Sequence, residues 1–422
     1  MIQNNPTFID LFAGCGGLSL GLFQAGWQGI FAVEQNNFAF NTLEHNLIKT
    51  LNSNSFDWPT WLPKKEITIQ ELLRKYKTNL TACKGKINLI AGGPPCQGFS
   101  LVGKRNKNDP RNNLYKEYVE LVGIVKPNYL LIENVRGIIT NFFNSKSNSV
   151  EIEDSSPKSY AERICDELND IGYSTAWKMI KAADFGVPQY RPRYIMLGVN
   201  RDLLPYPKDQ IFLKDSFLRL SINRPLFLMK KGLPCQSHIG VKEAISDLET
   251  LGRQKIQCDD SSGFEQVVYG GPRTVYQKLM HGNLNGSSPN SMRLAKHREK
   301  TINTFNKIME TCRPGVTLSN RERAALGINK HCVVWLDANK PAHTLTTLPD
   351  DLLHYSEPRI LTVREYARLQ SFPDWFEFKG NYTTGGPRRK NECPRYTQIG
   401  NAVPPLLAEA IGHTMLQIYD GF

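Results

Sequence analysis

Thr7-Phe8-Ile9-Asp10-Leu11-Phe12-Ala13-Gly14-Cys15-Gly16-Gly17 joins a short apolar run to a turn built largely of glycine. Leu18, Leu20, Leu22 and Phe23 follow at spacing that suits a helix, and Gly26 closes it. Ile30-Phe31-Ala32-Val33 reads as a second buried strand with Glu34 at its end, and Phe38 to Leu47 returns to helical spacing. Strand, helix, strand, helix is the opening of a parallel, doubly wound α/β sheet, so a Rossmann-like fold is expected. Glycines at 14, 16 and 17 would let a ligand approach the backbone at the C-terminal edge of that sheet. Glu34, at the end of the next strand, is placed to accept hydrogen bonds from both hydroxyls of a ribose. The third glycine of a dinucleotide fingerprint is missing, so the expected ligand is a nucleoside that need not carry a pyrophosphate. A plain packing turn between helix and sheet is the competing reading.

Working outward, Ile87 to Ala91, Tyr129 to Ile132 and Tyr194 to Val199 read as further strands. The first stops at Gly92-Gly93-Pro94-Pro95-Cys96. Two prolines fix φ and remove backbone donors, so Cys96 sits on a rigid turn where a thiolate nucleophile could be held. A half-buried structural cysteine fits the same residues. Glu133-Asn134 ends the next strand, and a carboxyl walled there by apolar residues could donate a proton. Arg191 and Arg193 alternate on an extended segment and should share a face, a guanidinium pair suited to a phosphate or a base edge.

Of 422 residues, 52 are Lys or Arg and 40 Asp or Glu, a formal charge of +12 that suits a polyanionic partner. Nine cysteines without a Cys-x-x-Cys pair argue against a disulfide framework and a zinc site. No signal pattern opens the chain and no run of about 18 apolar residues occurs, so a cytoplasmic protein without a membrane partner is expected. Residues 52–65, with Trp58 and Trp61, and 141–158 read as insertions. Beyond about residue 200 the alternation fades into polar loops, with helices expected at 241–251, 293–309 (basic), from 362, and at 406–418.

In order, Phe8 to Gly17, Gly92 to Ser100, Glu133 to Gly137, Gln189 to Arg193, Leu361 to Pro373 and Gln398 to Pro405 resemble the motif series of the cytosine-C5 DNA methyltransferases, in the form found in bacterial restriction-modification systems. The resemblance spans most of the chain, and its force lies in the order of six blocks. It implies an S-adenosylmethionine-dependent methyltransferase domain with a smaller, loop-rich target-recognition domain. The implied division is 1–200 catalytic, 201–355 recognition, 356–395 hinge and return, and 396–422 packing back on the catalytic domain.

It further implies methyl transfer to C5 of a flipped-out cytosine in a specific duplex sequence, through a covalent bond from Cys96 to C6. Glu133 would hold the N3 edge, and Arg191 and Arg193 would steady O2 and neighbouring groups. Phe12, Ala13, Gly14, Gly16, Gly17, Glu34, Gln35, Pro95, Asn401 and Val403 match donor-pocket positions. Glu66 and Ile67 are the nearest match to the adenine-binding position. Ser100, Lys104, Arg105 and Arg111 fall in the loop that would close over DNA. A cognate endonuclease and a monomer on double-stranded DNA complete the implied setting. RNA cytosine methylation by the same chemistry is the nearest alternative; a nicotinamide oxidoreductase and a DNA-binding protein without catalysis are more distant.

Overall fold

In the computed structural model the described residues are 5–50, 56–95, 114–139, 158–282, 284, 287–383 and 392–419. The first strand, β1 (Thr7–Leu11), turns through the glycines into α1 (Gly17–Ala25), then β2 (Gln28–Val33) and α2 (Asn37–Leu43). Helices α3 (Ile69–Lys75) and α4 (Lys77–Ala82) precede β3 (Leu89–Gly92); α5 (Leu114–Val125) leads to β4 (Tyr129–Asn134). Helix α6 (Tyr160–Asp170) and a hairpin of β5 (Tyr173–Lys181) with β6 (Pro192–Asn200) complete a six-stranded sheet of order β2-β1-β3-β4-β6-β5.

The sheet is parallel from β2 to β4, as expected, but β6 runs antiparallel to both β4 and β5. β1, β3 and β4 are buried almost throughout, which is why their sequences are continuous apolar runs. β5 is the edge strand, and its mixed sequence Tyr-Ser-Thr-Ala-Trp-Lys-Met-Ile-Lys hid it from the apolar pattern.

The apolar core does not break at residue 200, where the second part is expected to begin. Helix α7 (Lys208–Lys230) buries Phe212, Leu213, Phe217, Leu220, Phe227 and Leu228 in the same core as the sheet. Its outer face is apolar as well, so no contrast of helical period marked it in the sequence. α7 therefore shares the core of the sheet. Helices α8 (Val241–Ile245) and α9 (Val275–His281) bury Val241, Ala244, Ile245, Tyr276 and Met280 in that core as well, while the stretch expected to read DNA, called the recognition part below, adds a hairpin of β7 (Lys255–Gln257) and β8 (Glu265–Val267), α10 (Glu299–Thr311) and α11 (Asn320–Ala325) outside it. Two small clusters hold it, around Ile308, Leu318 and Leu353 and around Leu248, Val267 and Met292. The basic helix begins at Glu299, six residues later than expected, because 293–298 serve other contacts described below.

The chain then returns through α12 (Val363–Leu369) and α13 (Arg395–Asn401) to α14 (Pro405–Tyr419), which crosses α1. Glycine permits that crossing: a Cβ at Gly21 would lie 2.4 Å from Ala408 Cβ and 2.5 Å from the Pro405 oxygen.

Candidate active site

Because β1 to β4 are parallel, Phe12, Glu34, Gly93 and Glu133 leave the sheet at one edge. The reversed direction of β6 brings its first residues to that edge too. Register pairs Glu133 with Ile195, so Arg193 is a diagonal neighbour on the same face, within reach of a long side chain. The antiparallel pairing is thus the reason Glu133 meets an arginine.

The glycine turn is strained where it must be. Phe12, Gly14 and Gly16 take φ of 60°, 57° and 94°; the glycines do so freely, whereas Phe12 holds a conformation that costs an L residue about 1 kcal/mol or more. A Cβ at Gly14 would meet nothing within 4 Å, so the turn faces open space. At Gly17 a Cβ would lie 2.3 Å from the Val403 oxygen, and only glycine lets the C-terminal segment close here. Ala402 and Val403 therefore adjoin the turn, although they are distant in sequence.

Glu34 accepts the Gly14 N–H at 2.9 Å on one carboxylate oxygen and the Asn36 N–H at 2.6 Å on the other. Burial pushes its pKa up, and those two N–H groups oppose the shift. The Ile67 N–H donates to the Glu34 carbonyl at 2.8 Å, which places Glu66 and Ile67 beside the end of β2. No strand forms between β2 and β3 among the described residues; Trp58 and Trp61 of the insertion pack edge-on against Phe31. Below the turn, Asp10 is fully buried and accepts the Ser19 hydroxyl at 2.5 Å, while its other oxygen has no partner. Burial, opposed by Ser19 and reinforced by Glu34, pushes its pKa up to about 7.

At the other end of the edge, the turn after β3 passes directly over Glu133. A Cβ at Gly93 would lie 3.0 Å from the Glu133 carbonyl oxygen and 3.4 Å from its Oε2. The Asn134 amide donates to the Pro94 oxygen at 2.9 Å and fixes the turn. Arg193 Nε lies 2.8 Å from Glu133 Oε1, with both side chains largely buried. The wall beside Glu133, expected to be apolar, thus includes a guanidinium. Cys96, Ser100, Lys104, Arg105 and Arg111 lie outside the described residues.

Arg191 and Arg193 do not work as one pair. Arg191 is 1 % exposed and donates to the carbonyls of Gly400 (2.7 Å), Ala402 (3.0 Å) and Leu345 (3.3 Å) and to Gln189 Oε1 (3.3 Å). Its burial, with Arg193 nearby, holds its pKa well below the usual guanidinium range. Gln189 accepts the Leu345 N–H and donates to Gln370, which in turn donates to the Ala402 carbonyl. One strand start therefore clamps 345, 370 and 400–402, and it does so next to the carboxylate of Glu133. Gln189, Gln370 and Asn134 were not singled out from the sequence. The two-residue spacing that linked Arg191 to Arg193 includes Gln189, so that signal was present.

In the recognition part, Arg293 is sandwiched between the rings of Phe264 (4.1 Å) and Tyr382 (3.9 Å), and Arg395 also lies over the Tyr382 ring at 4.1 Å. Tyr382 and Arg395 both bond to Asp260. These residues tie the β7–β8 hairpin to the segment that precedes α13, so Arg293 is not part of a solvated helix face. Buried Arg368 joins Asp247 (2.9 Å) to Asp374 (2.6 Å), fastening α8 and its following turn to the return segment.

Residues 6–417 match the family model described as C-5 cytosine-specific DNA methylase. The type II methyltransferase M1.HphI of Haemophilus parahaemolyticus is 30% identical, with 98% of this chain and 87% of that protein aligned. The type II methyltransferase M.DdeI of Desulfomicrobium norvegicum is 29% identical over 98% of this chain and 89% of its own length. Among solved structures, a proposed DNA modification methyltransferase encoded within an E. coli prophage superimposes with a TM-score of 0.65 at 23% identity, covering 99% of this chain and all of that one, a likeness of fold.

Proposed function

The chain belongs to the C-5 cytosine-specific DNA methylase family, a DNA cytosine methyltransferase, and from that premise we propose that Cys96 and Glu133 carry the reaction at the strand edge described above. The observation that supports this most is the Glu133–Arg193 pair beneath the Gly93–Pro95 turn, on the same edge as Glu34 and the glycine turn. Cytosine C5 is a weak nucleophile. The Cys96 thiolate forms a bond to C6, and the electron pair displaced from the C5–C6 double bond makes C5 nucleophilic. Glu133 supplies a proton at N3 as the ring gains electron density, and Arg193 stabilises the carboxylate left behind. Once C5 carries the methyl group, loss of its proton to solvent restores the double bond, expels the thiolate and returns the N3 proton to Glu133.

The family generally uses S-adenosylmethionine, which supplies an electrophilic methyl group when bound. The open space at Gly14, the carboxylate of Glu34 and the adjoining Val403 fit a nucleoside donor with no pyrophosphate, and Asn401 is proposed to line it too. Phe12, Ala13, Gly16, Gly17, Gln35, Glu66, Ile67 and Pro95 complete that proposed pocket. Arg191 is assigned a positioning role, holding the Gly400–Ala402 carbonyls, in place of a contact to cytosine O2. A duplex hides C6 inside its stack, so the base must swing out, at a cost of roughly a few kcal/mol. Ser100, Lys104, Arg105 and Arg111 are proposed to close over the phosphates, and the recognition part to read base edges. A cytoplasmic restriction-modification setting, with an endonuclease acting on the same site, belongs to the same proposal.

Duplex DNA carrying 5-fluorocytosine tests the mechanism, because a C5 fluorine cannot leave as a proton. With donor present, the protein should form a DNA adduct that survives denaturation, and Cys96→Ser should form none. An equal yield from the variant, or methyl label appearing on tRNA and not on DNA, overturns the reading.

A further inference from the structure

Helix α10 is divided lengthwise. Ile308 is buried, and Phe305 and Cys312 pack on the same apolar cluster. At about 100° per residue, Lys300, Asn303, Thr304 and Lys307 fall within about 100° of arc on the far side. With α11 as the opposite wall they line an open groove of about 460 Å³, and Glu299 lines it too. Neither ammonium group has an ion-pair partner among the described residues, and the Asn303 amide has no hydrogen-bond partner there. The groove is fastened to the catalytic edge. After α11, Lys330 donates to Asp350 at 2.6 Å and to Asp351 at 2.8 Å, and its carbonyl accepts from Arg323 of α11. Asp351 accepts the Thr346 hydroxyl at 2.6 Å, and a Cβ at Gly400 would lie 2.1 Å from the Thr346 carbonyl oxygen. Gly400 is the residue whose carbonyl Arg191 holds.

We propose that this groove grips the sugar-phosphate backbone of one DNA strand and does so without reading its sequence. The proposal rests on the reading above, that duplex DNA is the substrate. A strand backbone is a ridge and seats in a groove, whereas base edges lie recessed in a duplex and call for a protruding element. Lys300 and Lys307 stand two helical turns apart, about 10 Å. Phosphates of one strand recur every 3.4 Å or so along the axis, so the two cations meet phosphates roughly three steps apart. The Asn303 amide donates to a phosphate oxygen between them. Thr304 already gives its hydroxyl proton to the Lys300 carbonyl at 2.9 Å and adds no donor. Glu299 opposes the grip by repulsion. The recognition part thus holds the duplex at one place and reads it at another, and the Lys330–Asp351–Thr346 chain sets the distance from the grip to the catalytic edge.

Binding of a labelled duplex that wild type methylates, measured between about 50 and 200 mM salt, tests it. Each phosphate contact contributes about 0.9 to the slope of log affinity against log salt. Lys300→Gln and Lys307→Gln should each flatten the slope by about that much, and the double variant by about twice as much. Lys300→Arg and Lys307→Arg should keep it. Lys84→Gln removes the same charge from the opposite edge of the sheet, ahead of β3, and should leave the slope unchanged. Glu299→Gln should tighten binding. All these variants should keep wild-type kcat at saturating DNA, KM for the donor and, by bisulfite sequencing, the methylated sequence. Slopes unmoved by both glutamine substitutions, or moved as much by Lys84→Gln, overturn the proposal; so does a changed methylated sequence, which would make α10 a reader of bases. A wild-type protein that labels tRNA and not DNA overturns the underlying reading and this proposal with it.

Discussion

The strand edge and the recognition part are held in different ways. Around Glu133 the described neighbours are pinned from several directions: Asn134 fixes Pro94, Arg193 meets the carboxylate, and Arg191 and Gln189 lock 345, 400 and 402. All of this stands on one continuous core. The recognition part has small apolar clusters and depends on polar fastenings, with Arg368 between Asp247 and Asp374 and Arg293 between two rings. A reacting base must be held within a fraction of an ångström, which calls for a rigid frame. Reading a DNA sequence tolerates, and is altered by, changes on a lighter scaffold.

The largest expected effect tests the rigid side. Glu133→Gln keeps the shape of the edge but removes the proposed proton donor and the carboxylate partner of Arg193. It should lower kcat by roughly 100- to 10,000-fold with little change in KM for DNA. Steady-state kinetics on a methylatable duplex decides it, and a variant within threefold of wild type would remove Glu133 from the chemistry.

The second tests the lighter side. Arg368→Met leaves Asp247 and Asp374 facing each other, buried and without their shared cation, and should cost about 3 to 5 kcal/mol. If the recognition part relies on this fastening, denaturant unfolding should acquire an early transition, and KM for DNA should rise more than KM for the donor. A single unshifted transition would show that the apolar clusters suffice.

Arg191→Lys probes the join between the two edge functions. A lysine cannot reproduce the fork that serves the Gly400 and Ala402 carbonyls, and buried carbonyls left without donors cost about 1 to 3 kcal/mol. Donor KM should rise about tenfold, a factor equivalent to 1.4 kcal/mol, and kcat should fall less. A cytosine contact would give the reverse split.

The sequence made the edge legible wherever function depended on neighbours along the chain. Glu34 followed from its distance to the glycine turn, and the place of Glu133 from a strand that ends at the same edge, whereas the role of Cys96 rests on the order of the motifs. What stayed hidden depended on partners far away. Arg191 and Arg193 look equivalent two residues apart, yet one meets carbonyls of residues 400 and 402 and the other a carboxylate on β4. α7 escaped because a helix apolar on both faces has no periodic contrast, and β5 because its sequence mixes polar and apolar residues without a continuous apolar run. Asp10 gave no sign either, since its burial comes from the packing of α1 over β1.

Asp10 gives the smallest and most specific prediction. Its pKa, raised to about 7 chiefly by burial, exceeds the ordinary value near 4, so the folded chain keeps a proton that the unfolded chain has lost. Between those values the native state binds more protons, and stability falls as pH rises. The contribution is therefore full below about pH 4 and gone above about pH 7, and Glu34, also shifted upward, acts in the same direction. Asp10→Asn retains an acceptor for the Ser19 hydroxyl but cannot ionise, so its melting temperature should decline less than that of wild type between pH 5 and 8, the two curves converging toward the acid end. Thermal melts across that range measure the difference. Parallel curves would mean that the unpartnered oxygen of Asp10 does not titrate there, and that the floor of the donor turn is already charged at the acid end of the range.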